Sequence, residues 1–363
     1  MVYSTIRPML FNVDPERAHN LSIRALKIMQ SNSFVREQYN KKMTTNDPKL
    51  KSSYWGLDFL NPVGLAAGFD KHAEVYPGLS ALGFGSVEIG SVTPVPQPGN
   101  TLPRLYRLPE DNGLINRMGF NSHGIHKVKE NFEKLPKPQT PIGINLGKNK
   151  DTSNVDAASD YTKSLDLLYL YGDYFVINIS SPNTKNLRDL QHTNNLKPFL
   201  EKILNTRNNL FKNTGKFRPI ILKVAPDLTL DQLEQAVDIA LVVGIDGLIV
   251  SNTTILREGL TSIHKHQIGG LSGKPLAKRS TDLIHRVYKQ TKGKIPIIGS
   301  GGIFTGKDAF EKLTAGANMV QVYTGMIYRG PSIAKYINNE LLNILENESY
   351  SSIQEVIGSQ HNN

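Results

Sequence analysis

The residues best equipped for chemistry stand at the ends of short apolar runs. Read in order, these ends supply Ala66-Ala67-Gly68-Phe69-Asp70-Lys71, Gly90-Ser91, Asn145, Asn178, Ser180-Ser181-Pro182-Asn183-Thr184, Lys223, Ser251-Asn252-Thr253, Gly299-Ser300-Gly301-Gly302 and Tyr323-Thr324-Gly325. Amides, hydroxyls and glycines dominate, with two lysines, while paired carboxylates and histidines are missing. Asn116, Asn178, Asn183 and Asn252 each carry a donor and an acceptor on one planar head, which suits the alternating N–H and C=O edge of a pyrimidine or imide ring. One such asparagine in a loop is more often a turn former; four converging on one mouth are harder to explain that way. Gly301-Gly302 and Tyr323-Thr324-Gly325 fit a phosphate cradle built from backbone N–H groups, with glycine admitting close approach. The alternative for this pair is turn glycines alone. A phosphate anchor implies a phosphorylated substrate or a cofactor such as FMN. Lys223, inside an apolar run, needs an anionic partner if it points inward, and beside a flavin it would stabilise negative charge developing on the ring.

What is missing narrows the chemistry further. The 363 residues contain no cysteine, which excludes disulfides, thiolate metal sites and any cysteine nucleophile or base. The G-x-G-x-x-G, G-x-x-x-x-G-K-[ST] and H-E-x-x-H patterns are absent, and the nine histidines show no metal-ligand spacing, so no metal is expected. The net charge, 42 − 32 = +10, invites nucleic acid, an anionic membrane surface or small acidic substrates. It equally fits a Lys-rich solvated surface, because the basic residues are spread along the chain without a block of like charge.

The elements that must position these residues are eight nearly continuous apolar runs, at 62–68, 86–92, 141–147, 174–180, 219–225, 247–252, 295–302 and 319–325. Such runs read as parallel strands buried on both faces. Helical stretches lie between them, for example 230–243 behind Thr229 as cap and 308–315. Eight strand–helix units over roughly 250–300 residues suit an α/β closed (β/α)8 TIM barrel better than an open doubly wound sheet. In that fold the functional residues belong at the C-terminal strand ends, where the set above lies. The stretch 104–117 reads as a hairpin inserted over the barrel mouth. Residues 15–30 predict a helix after Asp14, with Ala18, Leu21, Ala25, Ile28 and Met29 on one face and Arg17, Asn20, Arg24 and Lys27 on the other. Periodicity leaves two readings open: an interfacial membrane segment, or a helix packed across the barrel bottom. The last residues are polar and are expected to fray.

With these residues laid out, the chain resembles the dihydroorotate dehydrogenase family, specifically its membrane-associated, quinone-dependent class 2 members from bacteria. The motifs that carry the resemblance run in order over nearly the whole chain: DPERAH at 14–19, GLAAGFDK at 64–71, IGSVTPVPQPGN at 89–100, PRLYRL at 103–108, INRMGFN at 115–121, GKNKDT at 147–152, NISSPNT at 178–184, KVAPDL at 223–228, NTT at 252–254, GGLSGKPL at 269–276 and GSGGI at 299–303. The resemblance implies an FMN-containing barrel that oxidises (S)-dihydroorotate to orotate in pyrimidine (UMP) biosynthesis. Hydride would pass to FMN and electrons on to a membrane quinone, ubiquinone or menaquinone.

Carried over by position, FMN would be held by Ala66, Ala67, Gly68, Phe69, Asp70, Ser91, Asn145, Asn178, Lys223, Ser251, Gly273, Gly302, Tyr323 and Thr324. Dihydroorotate would be gripped by Lys71, Asn116, Arg117, Met118, Gly119, Phe120, Asn178, Asn183, Asn252 and Thr253. Ser181 would be the catalytic base, with Thr184 and a water as relay candidates, because a serine hydroxyl needs help to accept a proton near neutral pH. Phe69 stands where leucine is commoner, and Ser91 and Ser251 stand where threonine often does; bulk and hydroxyl are kept. The soluble class 1 relatives use cysteine as base, which this chain lacks.

The resemblance also implies a membrane-association and quinone-passage segment at 1–45 ahead of a catalytic barrel at 46–346, and the polar end is expected to leave a flexible tail at 347–363. It favours the membrane reading of the first helix and a peripheral position on the cytoplasmic face of the inner membrane, against anionic lipid. Neither a nucleic-acid partner nor an obligate protein partner is expected, and a monomer is. An FMN barrel acting on RNA, like a dihydrouridine synthase, is the nearest rival and would need a catalytic cysteine. A catalytically silent membrane-docked scaffold is the second; it would require neither Ser181 nor the asparagine set.

Overall fold

In the computed structural model, residues 2–361 are described. Three helices open the chain, α1 (Val2–Phe11), α2 (Pro15–Ser31) and α3 (Ser33–Met43). The strands follow as β1 (Ser52–Tyr54), β2 (Leu57–Phe59), β3 (Val63–Leu65), β4 (Ser86–Val92), β5 (Leu105–Leu108), β6 (Gly113–Asn116), β7 (Ile142–Leu146), β8 (Tyr174–Asn178), β9 (Ile220–Val224), β10 (Gly247–Val250), β11 (Gly270–Gly273), β12 (Ile297–Ser300) and β13 (Met319–Val322).

Eight of these strands close into a barrel in the order β10-β12-β13-β3-β4-β7-β8-β9, with every neighbouring pair parallel. Each apolar run expected from sequence holds one barrel strand. Their continuous hydrophobicity has a direct cause: β7, β8 and β9 are buried at every position, facing helices outside and side chains inside. The barrel interior is filled by Tyr174, Val176, Ile221, Ile249, Ile298 and Met319, joined by Phe59. Phe59 comes from the β1–β2 hairpin, which stops the N-terminal end of the barrel and is fixed there by Trp55 Nε1 donating to Asp246 O at 2.7 Å. This plug has no counterpart in the sequence reading.

The helix Leu230–Val243 has the bounds expected, started by a capping box between Thr229 and Gln232 and ended by Gly244 in the left-handed region. The second expected helix runs Gly306–Thr314, two residues earlier at its start, because Thr305 and Asp308 form a capping box of their own. The expected hairpin is β5–β6. The structure adds β11 to it as a third strand, Gly270 opposite Asn116 and Gly273 opposite Gly113. The glycine-framed sequence of β11 carries no strand signature.

The N-terminal segment lies beside the barrel mouth rather than under the barrel. Arg107 Nη1 of β5 donates to Phe11 O and Val13 O, and Gln30 of α2 is bound by Gly78 N and Glu74 O. The face drawn from periodicity divides in two. Ala18 and Met29 turn inward to a cavity, with Ala25 exposed at its rim, whereas Leu21 and Ile28 are 49% and 75% exposed, in company with Met9 and Phe34 at 72% and 68%. No helix among the described residues is long and apolar enough to cross a membrane.

The flexible tail expected at 347–363 is corrected by the structure. The helix Ile333–Asn347 is followed by a turn and the short helix Ile353–Val356, whose end residues are fully buried. Gly358 N donates to Leu313 O at 2.9 Å, and the His361 ring lies 4.0 Å from that of His285. A polar average conceals the two apolar anchors that hold this segment down. Residues 362 and 363 lie outside the described part.

Candidate active site

The C-terminal ends of the barrel strands bring the predicted amides into one network. Asn178, the last residue of β8, donates through Nδ2 to Ser91 Oγ at 2.9 Å and to Asn145 Oδ1 at 3.1 Å, and Ser91 Oγ also donates to Asn145 Oδ1. Asn252 Nδ2 donates to Asn178 Oδ1 at 3.1 Å and to Ser180 Oγ at 2.9 Å, while its own oxygen accepts Thr253 N at 2.8 Å. Every amide is thereby locked in orientation by a neighbour, which fixes which donors and acceptors face the cavity. A second pair stands above this layer. Asn183 Nδ2 donates to Asn116 Oδ1 at 3.0 Å, joining the loop after β8 to the inserted hairpin.

Ser181 lies in the same loop, buried, and its Oγ accepts Asn183 N at 3.2 Å. That contact holds the hydroxyl toward the cavity it lines. Lys71 lines the cavity from the loop after β3 and donates to Asn121 Oδ1. Burial, aided by the Arg104 charge and opposed by Glu16, draws its ammonium down to about 7.

Below the amides, Lys223 of β9 is buried, and burial lowers the pKa of its ammonium while the carboxylate of Glu88 raises it. Glu88 supplies the anionic charge that the sequence reading required of Lys223 but did not locate. It is fully buried on β4 and accepts Asn145 Nδ2 at 2.7 Å and Gln321 Nε2 at 2.6 Å. A lone carboxylate inside SVEIGSV was the available signal.

The cradle end is formed by Gly273, Gly301, Gly302, Tyr323 and Thr324. Gly302 has φ +73°, and a Cβ there would stand 2.4 Å from Ala277 Cβ, so only glycine fits this turn. Neutral donors make up this end. Glu16 is the single acidic side chain on the cavity wall among the described residues, and it is taken up by Arg104, 2.7 Å from Nη2. The donor set therefore fits FMN: a neutral cradle for a phosphate, hydroxyls and amides along its length, and a buried lysine against the ring.

A second cavity, apolar and about 400 Å³, opens beside the first. Its walls come from α1 and α2 (Tyr3, Leu10, Phe11, Ala18, Ala25, Met29) and from the barrel side (Phe69, Leu82, Leu114, Met326). His19, Leu105 and Tyr323 line both cavities and form the wall between them. The His19 ring meets Phe69 edge-on at 5.0 Å, and burial, with the Lys71 charge, lowers its pKa to about 4, so it is neutral near pH 7. Sequence reasoning gave no histidine a role; the one that lines both cavities comes from the helix outside the barrel.

All the predicted site residues line the polar cavity except Phe69, Asp70, Asn145 and Arg117. Phe69 faces the apolar cavity instead. Asp70 is a buried turn anchor, accepting His72 N, Glu74 N and Val75 N at 3.3, 2.8 and 2.8 Å, and burial holds its carboxyl up at about 6. Asn145 acts from behind, through Ser91 and Asn178. Arg117 points outward to Gln267 Oε1 and Pro103 O, at 2.9 and 2.8 Å, and braces the hairpin. Phe69, Asp70 and Arg117 fall inside contiguous motifs, and Asn145 inside an apolar run, where neighbouring side chains point in different directions.

Fold and site together define a (β/α)8-barrel enzyme with a polar, amide-lined chamber backed onto an apolar one. Residues 49–345 match the family model described as dihydroorotate dehydrogenase. Among curated proteins, the chain is 48% identical over 350 residues to a dihydroorotate dehydrogenase (quinone) from Christiangramia forsetii, covering 94% of this chain and 99% of that one. It is 44% identical to the protein of the same name from Acidithiobacillus ferrooxidans, over 99% of both chains. Among solved structures, the ligand-free DHODH of Eimeria tenella superposes with a TM-score of 0.88 at 43% identity, over 96% of this chain and 99% of that one. The ferulenol complex of DHODH from the same organism gives 0.85 at 42%, over 96% of each chain. The chain belongs to the dihydroorotate dehydrogenase family.

Proposed function

We propose that this enzyme oxidises (S)-dihydroorotate to orotate for pyrimidine biosynthesis, using FMN and delivering the electrons to a membrane quinone. The observation that carries the reading is the wall shared by two chambers of opposite character: amides and lysines on one side, a greasy passage from α1 and α2 on the other. When bound, FMN supplies the hydride acceptor for one substrate and the electron donor for the other. The residues that would hold it are Ala66, Ala67, Gly68, Ser91, Asn178, Lys223, Ser251, Gly273, Gly302, Tyr323 and Thr324, with Asn145 orienting Ser91 and Asn178.

The chain's own residues then divide the remaining work. Asn116, Asn183 and Asn252 offer fixed donors and acceptors to the ring of dihydroorotate, and Lys71 offers a cation to its carboxylate. Met118, Gly119, Phe120 and Thr253 complete the enclosure and exclude water. Ser181 takes the proton that leaves C5. Its hydroxyl is held by Asn183 N, so the base and the ring-binding amide move as one unit, and positioning compensates for the weak basicity of an alcohol.

Residues 1–45 form the quinone passage and the membrane contact, and 46–346 the catalytic barrel. Exposed Met9, Leu21, Ile28 and Phe34, with Arg24 and Lys27 nearby, suit a peripheral position on an anionic lipid surface at the cytoplasmic face of the inner membrane. Anaerobic addition of dihydroorotate to the purified protein tests the reading: flavin absorbance bleaches, and a quinone then restores it. Colourless protein indifferent to dihydroorotate would overturn it.

A further inference from the structure

Lys312, on the helix Gly306–Thr314, is 1% exposed and has no role in the chemistry above. Its Nζ lies 3.3 Å from Ala277 O and 3.1 Å from both Ser280 Oγ and Thr281 Oγ1, all neutral oxygens. Among the described residues, no carboxylate comes within 4 Å of it. Asp308, Glu311 and Asp282 face it from farther off, as does the cation of Lys274. Asp308 is already engaged, by Lys274 Nζ at 2.8 Å and by the N–H groups of Phe304 and Thr305. A buried ammonium in this position has no directly paired carboxylate, and burial draws its pKa down to about 7 against the more distant charges of Asp308 and Glu311.

The three oxygens around Lys312 belong to the first turns of the helix Ala277–Thr291, and that segment is the back wall of the cradle. Ser280 Oγ also donates to Ser300 O, the last residue of β12, at 2.7 Å. A Cβ on Gly302 would stand 2.7 Å from Ala277 N. The ammonium thus sits one residue layer behind Gly301 and Gly302. In front of that layer the cradle itself offers only neutral donors, since the lysines of the cavity wall, Lys71 and Lys223, are placed beside Asn121 and Glu88. One side of the loop has a cation with no carboxylate in direct contact. The other is shaped for an anion without a cation.

We propose that Lys312 is a positioning residue whose charge, acting through Ala277 and Ser280, is the buried counter-ion of the phosphate group held by the Gly301–Gly302 loop. The inference rests on the FMN reading given above. It extends the cofactor site to a helix that does not touch the cavity.

The test compares flavin release from diluted holoenzyme, followed by free-flavin fluorescence, for wild type, Lys312→Met and Lys312→Arg, each loaded with FMN or exchanged into riboflavin, which lacks the phosphate. Lys312→Met should weaken FMN retention at least about tenfold and riboflavin retention less than about twofold, with Lys312→Arg restoring most of the loss. Equal weakening of both flavins would make Lys312 a structural clamp and overturn the proposal, as would unchanged FMN retention.

A wild-type measurement keeps the proposal testable if Lys312→Met does not fold. The phosphate is already a dianion above pH 7, so FMN affinity should fall between pH 7 and 9 as Lys312 must take up a proton to pair with it, while riboflavin affinity stays flat. A flat FMN profile would sink the proposal. Wild-type protein that binds no FMN at all would remove the reading beneath it, and the proposal with it.

Discussion

Glu16 of α2 and Arg104 of the mouth hairpin form a two-pronged ion pair, 2.7 Å at Nη2 and 3.1 Å at Nε, with side chains 21% and 11% exposed. Arg104 Nη1 continues inward to Pro98 O and Asn100 O at 2.7 and 2.9 Å. Asn100 Nδ2 then donates to Arg117 O and Asn183 O at 2.9 and 3.2 Å. One chain of contacts therefore runs from the N-terminal helices to the residue that holds Ser181.

Glu16→Gln leaves Arg104 partly buried without its charge partner. It should cost about 1–3 kcal/mol of stability and loosen the Asn183 loop, raising the KM for dihydroorotate several-fold. Thermal unfolding and steady-state kinetics with each substrate varied check this. A change confined to the quinone KM would show that the pair serves the passage alone.

Ser181→Ala should keep its flavin, because no contact of Ser181 supports the cradle. Turnover near neutral pH should drop by about a hundredfold or more, the range of general-base catalysis. The ratio of flavin to protein absorbance and the rate of flavin bleaching by dihydroorotate report the two halves separately, and near-normal bleaching would end the base assignment.

Deleting residues 1–40 removes Glu16 along with the helices, so it should raise the dihydroorotate KM as Glu16→Gln does, yet keep the flavin while depressing the reduction of long-tailed quinones. The physical ground is sparse burial: among the described residues of α1 to α3, only Ala18 and Gln30 are buried. Truncated protein that reduces such a quinone at the parent rate would refute the role given to these helices.

Lys71 titrates near 7 because burial, its largest influence, disfavours the charged form. The cation proposed to meet the substrate carboxylate is therefore present below that pH and lost above it. Orotate affinity of the holoenzyme, read from the flavin spectrum, should fall as pH rises from 7 to 9, by up to about tenfold per unit, and Lys71→Met should bind weakly with no such slope. Measuring binding rather than turnover keeps Ser181 out of the profile.

The barrel was legible because strands buried on both faces leave continuous apolar runs, and the Thr229 cap marks a helix start in plain sequence, whereas the Thr305 cap was passed over and that helix expected two residues late. The amide set was legible because strand ends are where this fold puts its functional groups. Other features left no local trace. Phe59 enters the barrel from a short hairpin whose pattern resembles a loop, and β11 is framed by glycine. Leu21 and Ile28 share a helix face with Ala18 and Met29 on a wheel, yet a cavity on one side and open surface on the other separate them. Arg117 and Asp70 lie inside motifs whose neighbours line the cavity, but backbone direction turns their side chains away. Glu88 and Lys312 are charges whose meaning depends on what the fold sets opposite them.

The partition made by His19, Leu105 and Tyr323 is a single side chain thick. Two customers can therefore be served at separate counters: the water-soluble acid never needs to leave before the oily carrier arrives. Because each would exchange electrons with the flavin in a half-reaction of its own, double-reciprocal plots should show parallel lines even with both sites filled. It also means that a plug designed for one chamber would stop the cycle without ever competing for the other.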